Sequence, residues 1–215
     1  MTEDGTEDEL PPRRARKLAT RQALLDGALR LLEQQSLTSL GLREVTREAG
    51  IAPAAFYRHF TDLGELGVAL VQESFGSLHA LIRDIRTPEA DTEDVIRRSV
   101  DLVAAHVRAH RTHFRFLARE RYGGVASVRA AIAGELDAFV RELVDDLAMQ
   151  PESAGWSAPE LTVLARLYVN ILMLTAAAMI EAGPDDPAAE QSILTEALMQ
   201  LRMVTVGRQH WVEHR

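Results

Sequence analysis

Residues Leu42 to Phe60, LREVTREAGIAPAAFYRHF, constrain this chain more than any other stretch. Leu42, Val45 and Ala49 recur at i, i+3 and i+7, which places three apolar side chains on one face of a helix about two turns long. Gly50 follows where a helix end favours a left-handed residue, a conformation glycine adopts without a Cβ clash. Pro53 suits the first turn of a second helix, where its missing N–H is not needed. Phe56 and Phe60, at i and i+4, then face inward together and leave Ala54, Ala55, Tyr57, Arg58 and His59 outside. Small residues followed by a hydroxyl, a guanidinium and an imidazole let a short helix enter a DNA major groove. The backbone approaches closely, and the polar groups meet phosphates and base edges. The same spacing also fits an ordinary helical hairpin with a solvated polar face, because short helix–turn–helix shapes are frequent.

Charge bears on the choice. The net charge of −8 looks wrong for a nucleic-acid binder until it is divided along the chain. From Pro11 to Phe60 nine bases oppose four acids, a local excess of five, and the acid lies in the first ten residues and after Phe60. A basic end on an acidic body attracts phosphate at one surface and repels it elsewhere. The chain has no cysteine, so disulfides, thiolate chemistry and cysteine-bound zinc are excluded. The acidic start lacks the apolar core of a signal peptide. The longest uncharged run, Leu167 to Ile180, is shorter than the ~20 residues a membrane span needs. These features predict a soluble intracellular protein with no membrane partner.

Helical patterning continues throughout, and no strand pattern appears. Residues 1–12, acidic and then proline-rich, are expected to be a disordered tail. A first helix is expected from Arg13 to about Gln35, with Leu18, Leu24, Leu25, Ala28 and Leu32 in its core face. The spacing predicts a long helix over Asp62–Arg86, a break at Thr87–Asp91, and a helix capped by Thr92 that ends near Ala109. A short helix from His113, an amphipathic one over Val125–Gln150, an uncharged one over Glu160–Ala182 and a last one from about Ala188 to Trp211 follow. The uncharged helix is expected to be buried all round. The last carries more apolar surface than one core face needs, so Leu172, Ile193, Leu194, Leu198 and Leu201 are expected at a two-fold interface.

Arg43-Glu44-Val45, Ala49-Gly50-Ile51 and Phe56-Tyr57-Arg58-His59-Phe60 closely resemble the DNA-binding signature of the TetR family of bacterial repressors. The likeness extends from about Arg13 to the C-terminus. Ser39–Val45, Gly50–Pro53, Phe116–Arg121 and Leu201-Arg202-Met203 are similar to the FabR/DesT-like branch, which represses unsaturated fatty-acid synthesis and so sets the unsaturated/saturated balance. The resemblance implies an all-α homodimer of about nine helices, with a three-helix helix-turn-helix domain at 13–61 and a ligand-binding and dimerisation domain at 62–215. It also implies an inverted-repeat double-stranded operator and a small apolar effector, a long-chain acyl thioester such as an acyl-CoA, with a drug-like compound as the alternative. The DNA-facing set is Arg13, Arg16, Lys17, Arg43, Ala52, Pro53, Ala54, Ala55, Tyr57, Arg58 and His59. Phe75, Leu78, Ile82, Val100, Val103, Phe114 and Phe139 either line an apolar effector channel or pack as core. Arg119 and Arg121 are candidates for its headgroup. The chain departs from the family pattern at three places. Gly41 and Ala52 stand where many members place Ser or Thr caps, and Leu63 stands near where many members carry a phosphate-contacting Lys.

His106, His110 and His113, at i, i+4 and i+7, have metal-ligand spacing on an unbroken helix, the basis of a rival reading as a metal-dependent enzyme. The family pattern puts a helix break near His110, which is expected to scatter them. No nucleophile elbow or glycine-rich phosphate loop is present, and no catalytic residue, cofactor or metal is predicted.

Overall fold

The computed structural model describes residues 12–85 and 92–211, and among them every regular element is helical. The acidic stretch before Pro12 and the Thr87–Asp91 break lie outside the described residues. The helices are α1 (Pro12–Leu31), α2 (Leu42–Glu48), α3 (Pro53–Phe56), α4 (Leu63–Ile85), α5 (Thr92–Ala109), α6 (Arg111–Glu120), α7 (Ala126–Ala148), α8 (Ala158–Ala182) and α9 (Pro187–His210). Single 3₁₀ turns stand at Leu37–Ser39 and Pro151–Ser153.

The first three helices close around Leu24, Leu25, Ala28, Val45, Phe56 and Phe60, all buried. Gly50 ends α2 with φ +67°. Its N–H donates to Arg47 O at 3.1 Å and the Ile51 N–H to Thr46 O at 2.8 Å, the paired bonds of a Schellman turn. The Phe56 and Phe60 rings lie 5.7 Å apart, as the i, i+4 spacing predicts. Arg30 of α1 pairs with Glu48 of α2 at 2.7 Å. Leu18 departs from expectation: it is exposed, because the first turns of α1 extend past the helices that cover its later part. The helix also stops at Leu31, short of Gln35, and continues only as turns.

A reciprocal cap opens α4. Asp62 Oδ1 accepts the Glu65 N–H at 2.8 Å, and Glu65 Oε2 accepts the Thr61 N–H at 2.6 Å. Gly67 lets α4 approach both the first 3₁₀ turn and α7. A Cβ there would fall 2.6 Å from Leu37 Cδ2 and 2.7 Å from Val128 Cγ2. Further along, the His79 ring stacks on Phe139 at 3.7 Å between Glu135 and Glu142, each 3.2 Å away, clasping α4 to α7. Thr92 is the first residue of α5 rather than its cap.

Ser157 and Glu160 form a capping box at the start of α8, and Gly183, φ +82°, ends it. By length and composition α8 is apolar enough to cross a bilayer, but here it packs against α7 on one side and α9 on the other. It is not buried all round. Val163, Leu167 and Leu174 are exposed, because α5, α7 and α9 cover only part of its circumference.

Candidate functional site

The helix-turn-helix face is built on a very short second helix. The helix proper ends at Phe56, and Tyr57 to His59 form a tight turn in which the His59 N–H donates to Phe56 O at 2.9 Å. Ala52, Pro53, Ala54, Tyr57 and Arg58 are exposed, Tyr57 by 64 %, while Ala55 and His59 are half-buried. His59 was expected outside; instead its Nδ1 is buried with no hydrogen-bond partner among the described residues. Burial, then the charges of Lys17, Arg21 and Arg58, push its pKa below the ordinary 6.5. Arg21 of α1 lies over the Phe60 ring, which brings the first half of α1 beside the turn that follows the second helix. Arg13, Arg16, Lys17 and Arg43 are exposed as well. Two bases in the local excess are otherwise engaged, Arg30 with Glu48 and Arg21 over the Phe60 ring at 5.1 Å.

Neither Gly41 nor Ala52 supplies a side-chain cap, and Leu63 is half-buried against the core. The start of α4 carries the Asp62 and Glu65 carboxylates, with the Glu65 pKa lowered chiefly by the Thr61 N–H. Those carboxylates make that helix start unfavourable for an anion, whereas the basic side chains lie on α1 and on the turn after α3.

The expected effector channel is filled. All seven of its residues are buried; six belong to one packed core, with Phe75 on Phe139 at 5.9 Å and Phe114 edge-on to His106 at 5.7 Å, while Val100 packs separately with Ile96 and Leu201. Interdigitated aromatic and aliphatic side chains close that space. A cavity of about 300 Å³ opens elsewhere, between the start of α5, the end of α7, the middle of α8 and the end of α9. Ile96, Leu147, Leu172 and Leu201 give it apolar walls, and Tyr168 and Arg208 polar ones. It lies at the opposite end of the helical body from α1–α3. The later part of α5 leads instead to α6, and α6 grips the end of α1. The sequence reading missed Arg208, although Ala197, Leu201, Thr205 and Arg208 share one inward face of α9 and make it a charge within an apolar register.

Arg119 is not a free headgroup ligand. Its guanidinium donates to Leu32 O at 3.0 Å and Gln35 O at 2.6 Å, holding the end of α1. Beside it Glu120, buried, accepts the Leu37 N–H at 2.8 Å, and Thr112 donates to Glu33 at 2.8 Å. Arg121 lies over the Tyr122 ring at 5.6 Å.

The helix break at His110 is present, but it does not scatter the histidines. The His106 and His110 rings lie 4.5 Å apart, and those of His110 and His113 5.8 Å apart. The kink at His110 folds the chain back, keeping the three together. Among the described residues no group of three or more potential ligands has metal-holding geometry. His106 and His113 have pKa values lowered first by burial.

One of the expected interface residues needs correcting. Leu201 is 2 % exposed and packs inside the chain on Ile96 and Val100, because it lies on the face of α9 turned toward α5. Leu172, Ile193, Leu194 and Leu198 are half-buried against the same core. The outward face instead presents Met199, Met203 and Val206 at i, i+4 and i+7, with Met203 71 % exposed.

A basic helix-turn-helix head joined to a helical body with a cavity defines a DNA-binding regulator. Two family models match the chain: bacterial regulatory proteins, tetR family, over residues 24–69, and the tetracyclin repressor-like C-terminal domain over 92–203. The chain belongs to the TetR family of bacterial regulatory proteins. Similar folds include a SmeT–triclosan complex (TM-score 0.68, 14% identity, covering 88% of this chain and 91% of that one). AibR in complex with isovaleryl coenzyme A and operator DNA is another (0.61, 15%, 83% and 96%). A third is FadR from Bacillus subtilis in complex with stearoyl-CoA (0.68, 12%, 84% and 96%).

Proposed function

We propose that this chain is a homodimeric, cytoplasmic repressor that binds an inverted-repeat operator through residues 13–61 and senses a small apolar effector in residues 62–215. One observation carries the DNA half: α1, with its exposed basic start, meets the turn after the second helix through Arg21 over the Phe60 ring, joining phosphate-binding charge to the exposed Tyr57, Arg58 and small-residue helix that fit a major groove. Fluorescence anisotropy on an inverted-repeat duplex, set against a scrambled duplex of equal length, tests it. Equal affinity for the two sinks specific recognition.

The dimer half is supported by Val163, Leu167 and Leu174 on α8 beside Met199, Met203 and Val206 on α9, an apolar surface on two neighbouring helices. A second copy meeting it makes a four-helix interface.

The finer reading is that acyl thioesters are the effector and fatty-acid genes the target, as in the FabR/DesT-like branch. AibR and FadR were solved with acyl-CoA ligands, which supports it. The cavity of about 300 Å³ is at the small end of ligand sites and favours a short or branched acyl group. The second reading, a drug-like apolar compound, is favoured by the SmeT complex with triclosan. Titrating operator binding with short acyl thioesters and with triclosan separates the two. If neither changes operator affinity at saturating occupancy, both effector readings fail, because a ligand binding both states equally shifts nothing.

A further inference from the structure

We infer that the cavity between α5, α7, α8 and α9 binds a small apolar monocarboxylate, its carboxylate paired with Arg208 and its chain lying among Ile96, Leu147, Leu172 and Leu201. The inference rests only on the reading that residues 62–215 sense a small apolar effector, and it assigns this cavity a free acid in place of a thioester.

Arg208 is 4 % exposed, and both its outer nitrogens are held by neutral groups, Gln150 Oε1 at 2.8 Å and Ser153 Oγ at 2.5 Å. Its Nε–H is buried with no partner among the described residues, and no carboxylate of those residues forms an ion pair with it. A buried cation without a counter-charge is costly, and the cost is relieved when an anion arrives. The guanidinium is planar and matches a carboxylate in shape and in hydrogen-bonding fork. Tyr168 bonds Thr205 Oγ1 at 2.8 Å on the same wall, and burial raises its pKa, so it stays a protonated hydroxyl there. Asp146 and Glu152 also line the cavity, and Glu152 is exposed. The exposed Glu152 carboxylate disfavours a multiply charged anion such as a phosphate. A single carboxylate that reaches Arg208 meets the smaller repulsion.

The protein carries its own reporter. Its two tryptophans, Trp156 and Trp211, lie 6.0 Å apart, each three residues along the chain from Ser153 or Arg208. Emission and calorimetric titrations with linear alkanoates from butanoate to decanoate, without DNA, test the site. Affinity should rise about fourfold per methylene until the cavity is full. Methyl octanoate should bind at least about tenfold more weakly than octanoate. Arg208→Met should erase that preference while leaving the ester's affinity unchanged, and Arg208→Lys should keep part of it. Should Arg208→Met fail to fold, the wild-type ester comparison and Ser99→Phe decide. Ser99→Phe fills the cavity from α5, leaves the Arg208 bonds intact, and should abolish binding of both compounds. Equal octanoate and ester affinity in the wild type overturns the inference. So does a preference surviving in Arg208→Met, undiminished binding to Ser99→Phe, or octanoyl coenzyme A matching octanoate with the same Arg208 dependence. Operator binding by the ligand-free protein, measured separately, distinguishes failure of this site from failure of the repressor reading.

Discussion

His59 sits neutral among Lys17, Arg21 and Arg58, and a duplex phosphate reverses that balance by supplying negative charge. If His59 meets phosphate, its pKa rises on binding and the complex takes up a proton. Operator affinity should therefore increase as pH falls through the region below 6.5, and His59→Gln should flatten the dependence. Tyr57→Ala should cost about 1–3 kcal/mol on the operator and far less on scrambled DNA, read by competition anisotropy. Stability responds to pH in the opposite sense. His106 and His113 refuse, when folded, a proton that the unfolded chain binds near 6.5. The unfolded state then holds more protons just below that pH, so their contribution is complete above it and lost as pH falls. Melting temperature should drop between about pH 7.5 and 5.5, and a His106→Gln, His113→Gln variant should lose less of it. An identical drop in the variant removes these histidines as the cause.

Among the elements, α1 carries the exposed positive charge that the start of α4 lacks, and in the proposed complex that charge faces phosphate. Arg13→Ala and Arg16→Ala should each weaken binding to every sequence and lower the salt slope by up to about 0.9, with specificity unchanged. On α9 the two faces predict different failures. Met203→Glu places a charge on an exposed stripe, so the subunit should stay folded while dimer association loses at least about 2 kcal/mol per copy. Leu201→Glu puts the charge among Ile96 and Val100 and should unfold the chain. Sedimentation with circular dichroism separates the two outcomes. The contrast also marks what the sequence made legible. Gly50, Pro53 and the Phe56–Phe60 pair announce the helix–turn–helix because each is dictated by local backbone geometry. Which face of an almost wholly apolar α8 or α9 turns inward is set by the neighbours that happen to cover it. Composition alone could not choose between Leu201 and Met203. The cavity was illegible for a related reason. Phe75, Phe114 and Phe139 have the character of a pocket wall but fill the space themselves, while the opening formed where helix ends diverge around one arginine.

Across the whole molecule, cavity and DNA face stand at opposite ends of the body, so a signal must run the length of α5 or α9 to matter. α6 completes the route. Arg119, Glu120 and Thr112 hold the end of α1 and the 3₁₀ turn at Leu37, adding to the α1–α4 bond of Gln22 with Glu73 at 2.8 Å. Glu120→Gln should leave operator binding near the wild type while reducing the factor by which an effector changes it, since it loosens the joint and touches neither ligand. An unaltered factor would place the coupling elsewhere, in α4 alone. Those same tethers have a metrical consequence in the proposed dimer. A head that cannot swivel on its own body fixes the distance between two reading surfaces as a caliper does, and half-sites on one side of a duplex recur every 34–36 Å or so. The rigid protein should then reject operators whose half-sites are moved apart by one or two base pairs. Slackening the α6 joint should relax that ruler and let mis-spaced operators bind.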